Sequence, residues 1–311
     1  MASYLVTGAA GFVGANLLRR LVGKGEIVAT IHPKDQPWRL KGLSAKVKFL
    51  KLDLSNFEAV QQVVRKAKPD CIFHLAAYGT YPTQKDFRPI FNANTLGTAN
   101  LLEALNPLNY KAFVMTGSSS EYGYQEKPMS ESDVLEPNSL YSATKGAASL
   151  IAQGFAAVEN KPVVVLRFFS IYGPWEEPGR FIPTAIARCI KGKPVEVTGG
   201  KQVRDFVYVD DAINALLKAA QKAQRLKGQI FNVGSGKQTK IIDMAKKIIR
   251  VTSSNSSLRV GAYQARPWDA SNWLADTRKS KQLLGWRVET NIEQGIGQTF
   301  RWFKDNLEHY Q

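Results

Sequence analysis

The chain has 311 residues, 44% apolar and 22% charged, with a formal charge of +16. This balance suits a globular fold with a substantial core and excludes a fibrous or disordered chain. No apolar run approaches the ~18 residues that span a bilayer, and two cysteines and three scattered histidines offer neither a disulfide framework nor metal-ligand spacing, so a cytoplasmic protein without a metal is expected.

The first strand is expected over Tyr4 to Thr7. It follows Met1-Ala-Ser3 directly, so no targeting segment is expected there. Gly8-Ala-Ala-Gly11-Phe12-Val13-Gly14 comes next and opens a helix over Phe12 to Val22. Without a Cβ the backbone turns tightly and approaches a pyrophosphate, whose charge the helix N-terminus stabilises. That order of strand, glycine loop and helix is the context a dinucleotide needs.

A second strand, Ile27 to Ile31, ends in His32-Pro33-Lys34, where an acidic residue ordinarily accepts the ribose hydroxyls. Asp35 comes late and Arg39 lies farther on. A missing carboxylate beside cations favours a 2′-phosphate and hence NADP, with NAD as the alternative because Asp35 could swing in.

Further strands are expected over Val47 to Leu52, Cys71 to Ala76, Phe113 to Thr116 and Val163 to Phe169. Helices fill the gaps over Phe57 to Lys66, Ile90 to Leu105 and Leu140 to Ala157. The fifth strand leads into Gly117-Ser118-Ser119-Ser120-Glu121-Tyr122-Gly123, where a serine hydroxyl can polarise a substrate carbonyl or merely close a turn.

Tyr141 and Lys145 lie four apart on one helical face. A phenol with a pKa of ~10 is a poor base at neutral pH, but an adjacent ammonium and an oxidised nicotinamide would both favour its phenolate. Tyr141 could then take a proton in alcohol oxidation or give one in ketone reduction.

Beyond Arg167 the prolines at 174, 178, 183 and 194 break the pattern, and Gln229 to Val233 reads as one more strand returning to the sheet. The expectation is an α/β protein: a Rossmann-like doubly wound parallel sheet over residues 1–172, interleaved with a smaller α+β substrate lobe, mainly 173–311. The cleft between them is the expected binding site.

Together these residues resemble the extended short-chain dehydrogenase/reductase family, in particular its sugar-nucleotide epimerases, dehydratases and ketoreductases. The resemblance covers nearly the whole chain. It adds Asp53-Leu54, His74-Leu75-Ala76-Ala77, Asn94-Thr-Leu-Gly97, Tyr172-Gly-Pro174, Arg204-Asp-Phe-Val-Tyr-Val-Asp-Asp211, Arg266 and Leu284-Gly-Trp286. It implies Ser118, Tyr141 and Lys145 as catalytic residues. Cofactor contacts would come from Gly8, Gly11, Phe12, Val13, Gly14, His32, Lys34, Asp53, Leu54, Leu75, Ala76, Ala77 and Asn94, with Tyr141 and Lys145. Ser119, Ser120, Ser170, Arg204 and Arg266 would hold a nucleoside-diphosphate sugar, the arginines gripping its diphosphate. A homodimer is expected.

Dehydratases of the family carry Thr-Asp-Glu where this chain has Ser118, Ser119 and Ser120. Hydroxyls cannot replace those acids, and Glu121 reaches the glutamate place only through a deletion, so 4,6-dehydration is disfavoured. The loop looks most like that of 4-keto-6-deoxy sugar-nucleotide reductases. Ser170 stands where the family has asparagine. Reduction of a 4-keto sugar is the main expectation, with 4-epimerisation using the same residues and a retained cofactor as the alternative. Nucleic-acid binding, which the net charge suggests, is disfavoured because the basic residues are dispersed and such a module needs no poised phenol.

Overall fold

A computed structural model of the chain describes residues 2–81, 83–199, 202–262 and 272–310. Its main sheet is parallel and seven-stranded: β1 (Ala2–Thr7), β2 (Gly25–Ile31), β3 (Lys48–Lys51), β4 (Cys71–His74), β5 (Ala112–Ser118), β6 (Val163–Phe168) and β7 (Gln229–Val233), in the spatial order β7-β6-β5-β4-β1-β2-β3. Such a sheet needs cover on both faces, and the strands are accordingly apolar at consecutive positions.

One face carries Leu5, Ile72, Phe113 and Val163, packed with α2 (Phe57–Ala67), the helical run 87–105 and the helix Leu140–Val158. The alternate positions Val6, Phe73, Val114 and Val164 meet α1 (Phe12–Leu21) and the helix Val209–Lys222. The doubly wound α/β class is therefore as the sequence implied.

Several boundaries differ from expectation. β4 stops at His74, because the chain then turns past the glycine loop instead of pairing. The helical run begins at Phe87 and passes through a π turn at Asn92–Leu96, an irregularity with no signature in apolar spacing. Beyond β6 the chain forms two-stranded pairs, Ser170–Tyr172 with Phe206–Tyr208, Val203–Arg204 with Thr239–Lys240, and Val195–Val197 with Leu258–Val260. β7 then returns to pair with β6.

The strand order reverses between β1 and β4, and in such sheets ligands bind outside the carboxyl ends at that switch point. The ends of β1, β4, β5 and β6 bring together Gly8, Leu75, Ser118 and Phe168 around one cavity. Beneath it His74 ties the layers: its Nδ1 lies 2.7 Å from Thr7 Oγ1 and its Nε2 2.9 Å from Thr98 Oγ1. Burial, reinforced by the charge of Lys145, pulls this imidazole down to about 3 and keeps it neutral.

Candidate active site

The cavity, of about 250 Å³, is lined by Gly8, Gly11, Phe12, Val13, Gly14, Leu75, Ala77, Thr116, Gly117, Ser118, Tyr141, Phe168 and Phe169. Two glycines are steric necessities. Gly8 has φ +69°, and a Cβ there would lie 2.5 Å from the Ala76 nitrogen; one on Gly14 would lie 2.3 Å from the Gly8 carbonyl oxygen. α1 begins here with no side-chain cap and no acidic residue in its first turn, leaving amide donors for an anion. A dinucleotide pyrophosphate fits this cradle, whose shape depends on the close backbone packing that Gly8 and Gly14 allow.

Ser118 ends β5 in extended conformation and caps a 3₁₀ turn, Ser119–Tyr122. Its Oγ accepts from the Ser120 amide at 3.1 Å and lies 2.7 Å from Ser120 Oγ. Ser119 is buried, and its hydroxyl accepts a bond from Trp273 Nε1 at 2.9 Å. Glu121 points away from the cavity. It is fully buried against Arg167, with Nε to Oε2 at 2.7 Å.

Tyr141 lines the cavity near the start of its helix, and Lys145 lies one turn on, its Nζ donating to the Thr116 carbonyl at 2.6 Å. Burial pushes the Tyr141 phenol up to about 12. Hydrogen bonding to Ser118 and the charge of Arg180 pull it back, while Glu121 adds to the rise. Burial likewise lowers Lys145 to about 8 against the opposing pull of Glu121. In the chain itself desolvation sets the Tyr141 phenol, and the Lys145 ammonium is held by the Thr116 carbonyl.

Around the second strand the structure revises the role given to Arg39. This residue is buried, donating to Trp175 O at 2.7 Å and Ala10 O at 3.3 Å and pairing with Glu177. It is spent inside the fold and cannot receive a 2′-phosphate. His32 and Lys34 are exposed, with Asp53 Oδ2 3.9 Å from His32 Nε2. Asp53 also accepts from the amide and hydroxyl of Ser55. Those bonds, with the charges of His32 and Lys34, hold its carboxyl below the usual range against the opposing effect of burial.

Leu54 is buried, its carbonyl bonded by Asn100 Nδ2 at 2.8 Å. Asn94 is buried in the π turn, and its amide bonds both backbone groups of Tyr78 and the Thr144 hydroxyl. It braces the loop after β4 instead of facing the cavity.

Ser170 is half-buried, its amide donating to Asp205 O at 3.0 Å. Arg204 donates to Val203 O at 2.8 Å, and its guanidinium stands 5.5 Å from the Trp273 ring. Arg266 lies outside the described residues. Not foreseen were Phe168 and Phe169, which their position at the end of β6 could have flagged, and Trp273, for which the sequence carried no signal.

The model of the NAD-dependent epimerase/dehydratase family matches residues 4–234. The chain belongs to that family. Membership makes it an NAD(P)-dependent enzyme of the extended short-chain dehydrogenase/reductase class. It is 31% identical to a UDP-glucuronate 4-epimerase of Thermodesulfobacterium geofontis, covering 99% of this chain and 98% of that one. Among solved structures it resembles MoeE5 in complex with UDP-glucuronic acid and NAD (31% identity, TM-score 0.85, covering 98% of this chain and 100% of that one). It also resembles a UDP-glucose 4-epimerase of Thermotoga maritima with UDP-glucose (26% identity, TM-score 0.90, covering 98% and 99%). Among the described residues no helix is long and apolar enough to cross a membrane.

Proposed function

We propose that the chain is a UDP-sugar 4-epimerase that keeps its NAD through the catalytic cycle, with UDP-hexuronates and UDP-hexoses as the substrate class. The observation that carries this reading is the chemistry of the cavity wall: Tyr141 is the one acid–base side chain lining it among the described residues, and Glu121 is turned into the core. Eliminating water from C5 and C6 calls for additional acids and bases. Moving a hydride off C4 and back calls for one group that takes a proton and returns it.

NAD supplies reversible hydride transfer at C4. Tyr141 accepts the C4 hydroxyl proton as the alcohol is oxidised and gives it back when the ketone is reduced from the opposite face. Ser118 donates to the same oxygen as it becomes a carbonyl. Because burial holds Tyr141 neutral, its ionisation awaits the positive charge of the loaded site, so the base forms only when the dinucleotide is bound. Lys145 is a donor at the ribose side, and Arg204 is a cation for the substrate diphosphate.

Reduction of a 4-keto sugar, the main expectation from the serine loop, uses the same groups but needs an exchangeable reduced cofactor. Arg39 is unavailable to a 2′-phosphate and the Asp53 carboxylate stands beside His32, which favours NAD over NADPH. We also assign a homodimer, supported by an uncharged exposed stripe of Ala143, Leu150, Ile151, Gly154 and Val158 on the helix bearing Tyr141; sedimentation as a monomer at micromolar concentration would refute it.

Incubation with UDP-glucuronate or UDP-glucose in D₂O, followed by NMR, tests the reaction. The reading expects the C4 epimer with no solvent deuterium at C4 or C5. Loss of water from UDP-glucose, with solvent deuterium at C5, would establish elimination chemistry instead.

A further inference from the structure

Glu121 has no part in the proton transfers above, yet it is the most completely enclosed carboxylate near them. Its approach depends on Gly117, where a Cβ would lie 2.7 Å from Glu121 Oε1. That oxygen accepts the Ser118 amide at 2.7 Å and the Ser149 hydroxyl at 3.1 Å, while the other oxygen meets Arg167 Nε at 2.7 Å. Arg167, itself 2% exposed, lies over the Tyr122 ring at 4.6 Å, and Tyr122 Oη donates to Asn232 on β7 at 2.7 Å.

Buried ion pairs of this kind add little to stability compared with apolar residues of the same volume. A carboxylate aimed at one backbone amide does something an apolar pair cannot, because it fixes where the following side chain stands. We propose that Glu121 is the positioning residue of the reaction: locked by Arg167 beneath the loop, it fixes the Ser118 backbone and so the hydroxyl that meets the substrate oxygen. This rests on the epimerase reading of the site. The geometry has a mechanical logic, since the anchor reaches β5, β6, β7 and the Tyr141 helix at once, and the loop therefore cannot shift without shifting all four.

Removing either charge alone leaves the other buried and unpaired and endangers the fold, so the test compares two double variants that both lack the ion pair. Glu121→Gln with Arg167→Met keeps an acceptor for the Ser118 amide; Glu121→Leu with Arg167→Met does not. At matched melting temperature and circular dichroism, turnover in the Leu variant is expected to be about tenfold or more below that of the Gln variant, with the dissociation constant for NAD unchanged, as loss of alignment predicts. Exchange of the Ser118 amide with solvent, followed by NMR, should be slow in the wild type and the Gln variant and fast in the Leu variant. Equal exchange in the two folded variants, or equal turnover, would overturn the proposal. The exchange measurement needs no substrate, so it stands even if the epimerase reading fails.

Discussion

Raising the pH from 6.5 to 8 should weaken the fold through a single carboxyl, that of Glu176. This residue follows Trp175, whose φ is +69°, and its Oε2 has no hydrogen-bond partner among the described residues. Burial raises its pKa from 4.5 to about 8; Arg180, the Gly173 amide and Arg39 oppose the rise, and Glu177 adds to it. Because the folded value is the higher, the folded protein holds a proton that the unfolded chain has lost between those two values. The contribution is whole below 4.5 and is lost as the pH climbs through 8.

The gap corresponds to about 5 kcal/mol over the full interval, and to roughly 1.5 kcal/mol between pH 6.5 and 8. His74 and Lys145, whose folded values are depressed to about 3 and about 8, act in the opposite direction over this window, but equally in the wild type and in a Glu176 variant. Urea unfolding of wild type and Glu176→Gln at both pH values is the assay. On going to the higher pH the wild type should lose roughly 1.5 kcal/mol more than the variant, which cannot ionise at this position. A variant that keeps the same drop would refute the assignment.

Tyr141→Phe removes one hydroxyl and keeps the ring, so turnover should fall by about 10²-fold or more with NAD binding retained; near-normal turnover would exclude Tyr141 as the acid–base group. Gly8→Ala places a methyl group 2.5 Å from the Ala76 nitrogen at φ +69° and should cost about 2 kcal/mol or more of stability together with nucleotide binding; an unperturbed, nucleotide-loaded variant would mean the loop is looser than described. NADH should bind more tightly than NADPH at low and high salt alike, and His32→Asp should widen the difference; tighter NADPH binding would restore the reductase reading.

The sheet was legible because its signals are local. Consecutive apolar positions in β1, β4, β5 and β6, a glycine loop between strand and helix, and Tyr141 four residues before Lys145 depend only on nearest neighbours in the chain. What the sequence concealed was long-range. Arg39 looked like a phosphate ligand because its distance from the second strand is visible, whereas the carbonyls of Ala10 and Trp175 and the Glu177 carboxylate that consume its guanidinium are not. Glu121 could be set outside the catalytic acids by its place in the loop, but its partner Arg167, 46 residues away, was not visible. The desolvation that raises the Tyr141 phenol comes from residues far along the chain and leaves no trace in the spacing to Lys145. Trp273 reaches Ser119 from 154 residues on, and nothing in its local sequence announces that contact.

Heat release of nucleotide from the purified protein, combined with turnover without added cofactor, tests the central claim most directly. The account predicts close to one NAD per chain and conversion of UDP-glucuronate to its C4 epimer with no net change in the cofactor's oxidation state. Protein that carries no nucleotide, and that acts only when NADPH is supplied and consumed, would contradict it.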